Sequence, residues 1–444
     1  MTPLAAPAPS FTGKLRADGE TLARYAADAD DLLASLPAKP DRDEGRRRLA
    51  QEALESCRAV RGAFLDRHAD EVYAALTDGL TRHLRLTPLV HAAAERFPGL
   101  VPTRAQLDAE RGHVQADKEG REIDQGVFLA ALLRSATAGP HLMDAMLLPT
   151  ERATTLLEEF RRNGRVALES VLLERRGELA YVTINNQHCL NAEDERLVED
   201  LETAVDLALL DDAVRVSVLR GGVMTHPRYR GRRVFCAGLN LSDLRNGAIS
   251  LTGFLLGREL GLVAKLVHGV VTDPDQGAWA RRTVQKPWIA AVDAFAIGGG
   301  MQLLLACDHV IAERDAYFTL PAAQEGIVPG LGNLRLTRFT GARLARRIIL
   351  GGQRVRATDP EAVLLCDDVV PAEEMDTAIA RTARDLAAPA VAANRRMLVL
   401  AEEPPQLLRA YAAEFALVQA ERLYSPDVID KVERRWAARS SARR

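Results

Sequence analysis

The sequence predicts two folded units: an all-α domain over residues 1–167, followed by an α/β domain over residues 168–444 that ends in a helical segment. Three observations predict this division. Residues 12–165 are rich in Ala, Leu, Arg and Glu and poor in β-branched runs, which is the composition of packed helices. From about Leu168 short β-rich runs alternate with amphipathic stretches, the pattern of strands joined by helices. A chain of 444 residues with 47% hydrophobic content is also long enough for more than one core.

In the first domain Leu54, Cys57, Val60 and Phe64 recur at spacings of three and four, so they share one helical stripe, with Arg58, Arg61 and Asp66 mainly on the other side. The apolar segment from Val127 to Leu133 reads as a core helix. This domain is expected to be a cap or an oligomerisation unit. In the second domain LAYVTI (Leu179 to Ile184), VRVSVL (Val214 to Leu219) and WIAAV (Trp288 to Val292) read as strands. Between the first two, Leu197, Leu201, Val205 and Leu209 step by four along Glu193 to Leu210, as in a crossover helix between parallel strands.

The formal net charge of −3 provides no basic field for nucleic acid or an anionic membrane. The start, MTPLAAPAPSFTGKL, lacks the basic end and apolar run of a secretion signal, and no stretch offers roughly 18 uninterrupted apolar residues. A cytoplasmic chain acting on a small molecule is expected, with no nucleic-acid or membrane partner. The five cysteines are odd in number, scattered and never spaced as CxxC, which argues against a disulfide framework and a thiolate metal site. The nine histidines form no HExxH or HxH, and His226, His268 and His309 are isolated. With no P-loop, and no GxGxxG after a strand, the chemistry is expected to run without metal, flavin or nicotinamide.

Two loops carry the chemical signal. In Val234-Phe235-Cys236-Ala237-Gly238-Leu239-Asn240-Leu241, small residues interrupt an apolar run, so backbone can approach a ligand closely. In the second, Gly298-Gly299-Gly300-Met301-Gln302 follows a strand and opens a helix, leaving main-chain N–H groups unshielded at the helix's positive end, where a developing oxyanion is stabilised.

These loops, their order, and the later PAAQEGIVPGLGNLRL resemble the crotonase (enoyl-CoA hydratase/isomerase) superfamily from about Leu168 onward. The resemblance implies a crotonase (ClpP-like) spiral domain, an acyl-CoA substrate and a homo-oligomer, trimer or hexamer. It also implies that the backbone amides of Leu239 and Gly299 hold the thioester carbonyl. Where hydratases carry one glutamate in GGGxE and another in FxxPE, this chain has Gln302 and Ala322. Neither side chain titrates, so addition of water loses its acid and base.

The helical extension, Gln302, Ala322 and the Arg-rich insertion before FCAG are similar to a cofactor-independent oxygenase branch of the superfamily that serves dihydroxyphenylglycine biosynthesis, a route to antibiotics. That similarity implies that dioxygen and 3,5-dihydroxyphenylacetyl-CoA give 3,5-dihydroxyphenylglyoxylate and CoA through an enolate. It implies substrate contacts from Glu193, Arg258 and Gln302, with Cys236, Ala237, Gly238 and Asn240 around the thioester. A small apolar space near Ala322 and Ile327 would take dioxygen. His226, Arg228 and Tyr229, within an Arg-rich run reaching Arg233, would meet the CoA phosphates. Blander readings stand beside these: Glu193 as a first-turn charge answering the helix dipole, Arg258 as a surface charge beside Glu259, and the Arg-rich run as solvated. Two other functions stay open, an acyl-CoA hydrolase or isomerase with Glu325 or Glu193 as base, and a non-catalytic acyl-CoA-binding scaffold.

Overall fold

The computed structural model of the protein describes residues 9–274 and 282–442. The expectation of no leader segment falls largely on residues 1–8, which lie outside them. The chain opens with helices α1 (Leu15–Ser35), α2 (Glu44–Leu76), α3 (Leu86–Arg96), α4 (Arg104–Arg111), α5 (Glu122–Arg134) and α6 (Ala138–Leu147). Local chemistry fixes the starts: Asp43 caps α2 by accepting from the Arg46 amide, and Thr103 forms a reciprocal capping box with Gln106 at α4. Leu54, Cys57, Val60 and Phe64 of α2 are all buried, as their spacing predicts. Arg61, expected on the outer side, is buried too, because Asp124 of α5 pairs with it at 2.9 Å and with Arg58 at 3.0 Å.

Helix α7 (Glu151–Asn163) leads into β1 (Arg165–Ala167), β2 (Val171–Arg176), β3 (Leu179–Ile184), α8 (Glu195–Leu210) and β4 (Val216–Gly221). Strand β4 starts two residues later than the VRVSVL run, since Val214 closes a turn onto the carbonyl of Asp211. Next come α9 (Leu241–Arg245), a π-helical segment (Arg258–Val263) continuing into α10 (Ala264–His268), β5 (Val270–Asp273), β6 (Arg282–Val284), β7 (Trp288–Val292), β8 (Phe295–Ile297) and α11 (Gly299–Leu304). The chain continues through β9 (His309–Glu313), β10 (Tyr317–Thr319), α12 (Ala322–Glu325), α13 (Gly332–Ile349), β11 (Val355–Arg356) and β12 (Asp368–Val370). It closes with α14 (Met375–Leu386), α15 (Pro389–Glu402), α16 (Pro405–Leu423) and α17 (Pro426–Ala442).

The main sheet has the order β1-β2-β3-β4-β7-β9-β12. Its first two pairings are antiparallel, and every pairing from β3 to β12 is parallel, so α8 is a crossover between parallel neighbours. Val216, Val218, Ile289, Ala291 and Ile311 bury one face against Met375, Ala378 and Ile379 of α14. A second sheet, β11-β10-β8, carries the strand that feeds the glycine loop.

Two compact units result, but not divided at residue 167. One comprises the residues up to Met146, Leu244–Gly253 and the residues from Gln406; the other comprises Leu147–Asp243 and Phe254–Pro405. Helix α7 belongs to the second because it packs on α8 and β1. The C-terminal helices group with the first, where Tyr424 donates to Glu122 Oε2 at 2.6 Å and Arg409 to the carbonyl of Leu133 at 2.7 Å. Among the described residues no helix is long and apolar enough to cross a membrane.

Candidate active site

The FCAG loop runs alongside β8. Cys236 bridges Ala296 in parallel, donating to the carbonyl of Phe295 at 3.4 Å and accepting from the Ile297 amide at 3.0 Å. Past that bridge Gly238 turns the chain with φ +83°, and a Cβ there would stand 2.7 Å from the carbonyl oxygen of Ile297. Only glycine allows both the turn and the close approach. The two chemical loops therefore touch backbone to backbone.

Leu239 forms a second bridge, with Glu193: the Glu193 amide donates to the Gly238 carbonyl at 2.7 Å, and the Asn240 amide to the Glu193 carbonyl at 2.9 Å. This alternation turns the Leu239 amide away from the pairing. Gly299 is the first residue of α11, where helical N–H groups have no intrahelical acceptor. Among the described residues neither amide donates to the protein.

A buried ionic network lies against Gly299. Arg258 Nε donates to Glu193 Oε1 at 2.9 Å, Nη1 to Glu259 Oε1 at 2.6 Å and Gln302 Oε1 at 3.0 Å, and Nη2 to the Gly299 carbonyl at 2.9 Å. Each of the four side chains is less than a tenth exposed. The surface-charge reading of Arg258 therefore fails, and so does the first-turn reading of Glu193. Asp194 caps α8, accepting from Leu197 at 2.8 Å, and Glu193 sits ahead of the helix. Burial pushes the Glu193 carboxyl up while Arg258 pulls it back. Burial alone would lower Arg258, but Glu193 and Glu259 hold it above its ordinary value. Arg258 begins the π-helical segment, a distortion frequent at functional sites.

Ala322 and Ile327 lie together, since the Ile327 amide donates to the Ala322 carbonyl at 3.1 Å around α12. Ala322 is buried and Ile327 half-buried. Other expected contacts are engaged within the protein. The Cys236 thiol is fully buried, accepts from the Gly238 amide at 3.3 Å, and is pushed well up by burial, so it braces the loop instead of facing solvent. Asn240 caps α9, accepting from the Ser242 amide at 3.1 Å and donating to Asp243 at 2.8 Å. Ala237 is half-buried.

The Arg-rich run divides. His226 is exposed and accepts from the Arg228 amide at 3.3 Å. Arg228 lies over the Tyr229 ring, which stacks edge-on against Phe295. Arg232 pairs with Glu313 at 2.8 Å, and Arg233 donates to the Gly221 carbonyl at 3.0 Å. Tyr229 packs on Phe295 of β8, Arg232 is exposed while paired with Glu313, and Arg233 is half-buried.

Sequence reading missed two features. One is Glu259, whose signal was a charged Arg-Glu pair inside an apolar run. The other is a spatial group of His188, Cys189 and Asp194 with ligand-type atoms within 4.8 Å of one another, invisible as a motif. There Asp194 is committed to the α8 cap and to Asn186, and the Cys189 thiol to the carbonyls of Asn186 and Ala192.

The enoyl-CoA hydratase/isomerase family model matches residues 174–420. The (3,5-dihydroxyphenyl)acetyl-CoA 1,2-dioxygenase of Amycolatopsis orientalis is 59% identical over 415 residues, 94% of this chain and 95% of that protein. A short-chain-enoyl-CoA hydratase of Clostridium acetobutylicum is 30% identical over 213 residues, 48% of this chain and 73% of that protein. In structure, an enoyl-CoA hydratase/isomerase from Xanthobacter autotrophicus Py2 superposes with a TM-score of 0.51 and 26% identity, covering 62% of this chain and 97% of its own.

Proposed function

The chain belongs to the enoyl-CoA hydratase/isomerase family, and on that premise we propose that it is a dioxygenase converting 3,5-dihydroxyphenylacetyl-CoA and O2 to 3,5-dihydroxyphenylglyoxylate and CoA without metal or organic cofactor. The observation that carries this reading is the match to the Amycolatopsis dioxygenase over both units, where the Clostridium hydratase matches only about half of the chain. The site agrees with it chemically. Gln302 and Ala322 stand where a hydratase needs carboxylates, and among the described residues the amides of Leu239 and Gly299 have no acceptor within the protein.

The steps balance. The α carbon of an arylacetyl thioester loses a proton, and the carbonyl oxygen takes the charge against the two amides, each contributing about 3 kcal/mol to the barrier reduction. The enolate passes one electron to O2, and the radical pair recombines as an α-peroxide. The peroxide attacks the thioester carbonyl and expels the CoA thiolate. Loss of the second α proton breaks the O–O bond, leaving one oxygen as the ketone and the other in the carboxylate. Glu193, Arg258 and Gln302 supply hydrogen-bond partners for the two ring hydroxyls.

Assembly into a homo-oligomer, trimer or hexamer, belongs to the same proposal. Met397, Leu398 and Leu400 of α15, each at least half exposed, support it, because apolar clusters of this kind mark subunit contacts.

The test is oxygen uptake and free-thiol release from 3,5-dihydroxyphenylacetyl-CoA by chelator-treated enzyme. Equal amounts of O2 lost and CoA released support the proposal. Thiol release without oxygen loss makes the chain a thioester hydrolase, and loss of activity on chelation overturns metal independence.

A further inference from the structure

Glu259 has no place in the chemistry above, yet both of its carboxylate oxygens are engaged beside it. Its side chain is about 4% exposed. Oε1 accepts from Arg258 Nη1 at 2.6 Å, and Oε2 accepts from the Leu331 amide at 2.9 Å. Gly330 is pressed against it: a Cβ there would lie 2.2 Å from Oε1, at φ +47°. Gly330 and Leu331 follow Ile327 in the loop that leads to α13. Arg258 Nη1 is shared between Glu259 and Gln302, while Nε holds Glu193. A guanidinium is a planar fork, so fixing one arm fixes the directions of the others. Without Glu259 the fork loses its tie to the Leu331 amide, and its aim rests on Glu193, Gln302 and the Gly299 carbonyl alone.

We infer that Glu259 is a positioning residue for ring recognition: it aims Arg258 at Glu193 and Gln302, and through the Leu331 amide it ties that fork to the loop bearing Ile327. The inference rests on the proposed arylacetyl-CoA reading, since the ring hydroxyls are what the aimed groups meet. A carboxylate is needed because two acceptor oxygens are in use. A glutamine offers one acceptor and one donor, so E259Q breaks one of the two contacts at nearly unchanged volume.

The experiment compares kcat/KM for 3,5-dihydroxyphenylacetyl-CoA and for phenylacetyl-CoA, which lacks the hydroxyls, in wild type and E259Q. The expected result is a fall of about tenfold or more in the preference for the dihydroxy substrate, because misaimed polar groups no longer reward the hydroxyls. Equal losses on both thioesters, with the preference unchanged, reduce Glu259 to a structural role and overturn the inference. If wild type consumes no oxygen with either thioester, the dioxygenase reading has failed separately. The ratio of the two dissociation constants by calorimetry then reads the same preference, with the same two outcomes. Should E259Q not fold, G330A pushes the same carboxylate from the loop side and is held to the same ratio.

Discussion

The carboxylate of Glu193 fills the space that a side chain at Gly299 would need: a Cβ on Gly299 would stand 1.6 Å from Glu193 Oε2 and 3.2 Å from Arg258 Nη2. The glycine serves the neighbouring side chains as much as its own amide. Replacement by alanine must move either the carboxylate or the backbone donor. G299A is expected to lose about 100-fold or more in kcat, the loss associated with one oxyanion donor. Oxygen-uptake kinetics measure this, and a G299A enzyme within a few-fold of wild type removes Gly299 from the chemistry.

Arg258 neutralises two buried carboxylates, so R258A should lower the unfolding free energy by about 3–5 kcal/mol near neutral pH. The sign of its pH dependence follows from Glu193, whose folded carboxyl already lies above its ordinary 4.5. A raised acid binds its proton in the folded state before the unfolded chain does. The deficit is therefore largest above the folded value and shrinks as pH falls toward the unfolded one. Urea titrations at about pH 8 and about pH 5 read it, and a deficit that grows on acidification contradicts the assignment.

Glu403 behaves in the opposite sense. Burial would raise its carboxyl, but Arg335 (2.6 Å) and His268 (3.0 Å) hold it well below the usual range. Its contribution is complete above the unfolded carboxylate value and is lost as pH falls through the folded one. E403Q should cost about 3–5 kcal/mol at neutral pH by stranding Arg335. The gap from wild type should narrow in strong acid, as followed by circular dichroism melts.

At the proposed oxygen space, A322L adds volume where Ala322 is buried beside Ile327. Overpacking by about 1 kcal/mol corresponds to a rise of roughly fivefold in KM for oxygen. The KM for the thioester should stay nearly constant. An unchanged oxygen dependence places the oxygen path elsewhere.

Asn240 caps α9 with its side chain. N240A should lower stability by about 1 kcal/mol through the lost cap. Its effect on turnover should remain well below that of G299A, because the Leu239 amide is held from the other side by the bridge to Glu193. Melting temperature and kcat measured on the same preparation separate the two effects.

The sequence by itself determined the parts whose chemistry lies in the main chain or in periodicity. The helical stripe of α2, the runs that became β3 and β7, and the crossover α8 were legible because burial repeats with the period of each element. The FCAG and GGGMQ loops were legible because a backbone donor needs only glycine and a helix start. Gln302 and Ala322 were legible as absences of acid. Only the tertiary structure decided which side chains those loops would face. Glu193 and Arg258 are 65 residues apart, and Arg58 meets Asp124 across 66. Nothing in local pattern separates such buried pairs from solvated charge, since the same Arg-Glu dipeptide suits a surface or a core. Burial of Arg258 among Glu193, Glu259 and Gln302 depends on elements that the sheet order brings together. The strength of that network comes from their exclusion of water, which is a property of the assembled fold and not of any one segment.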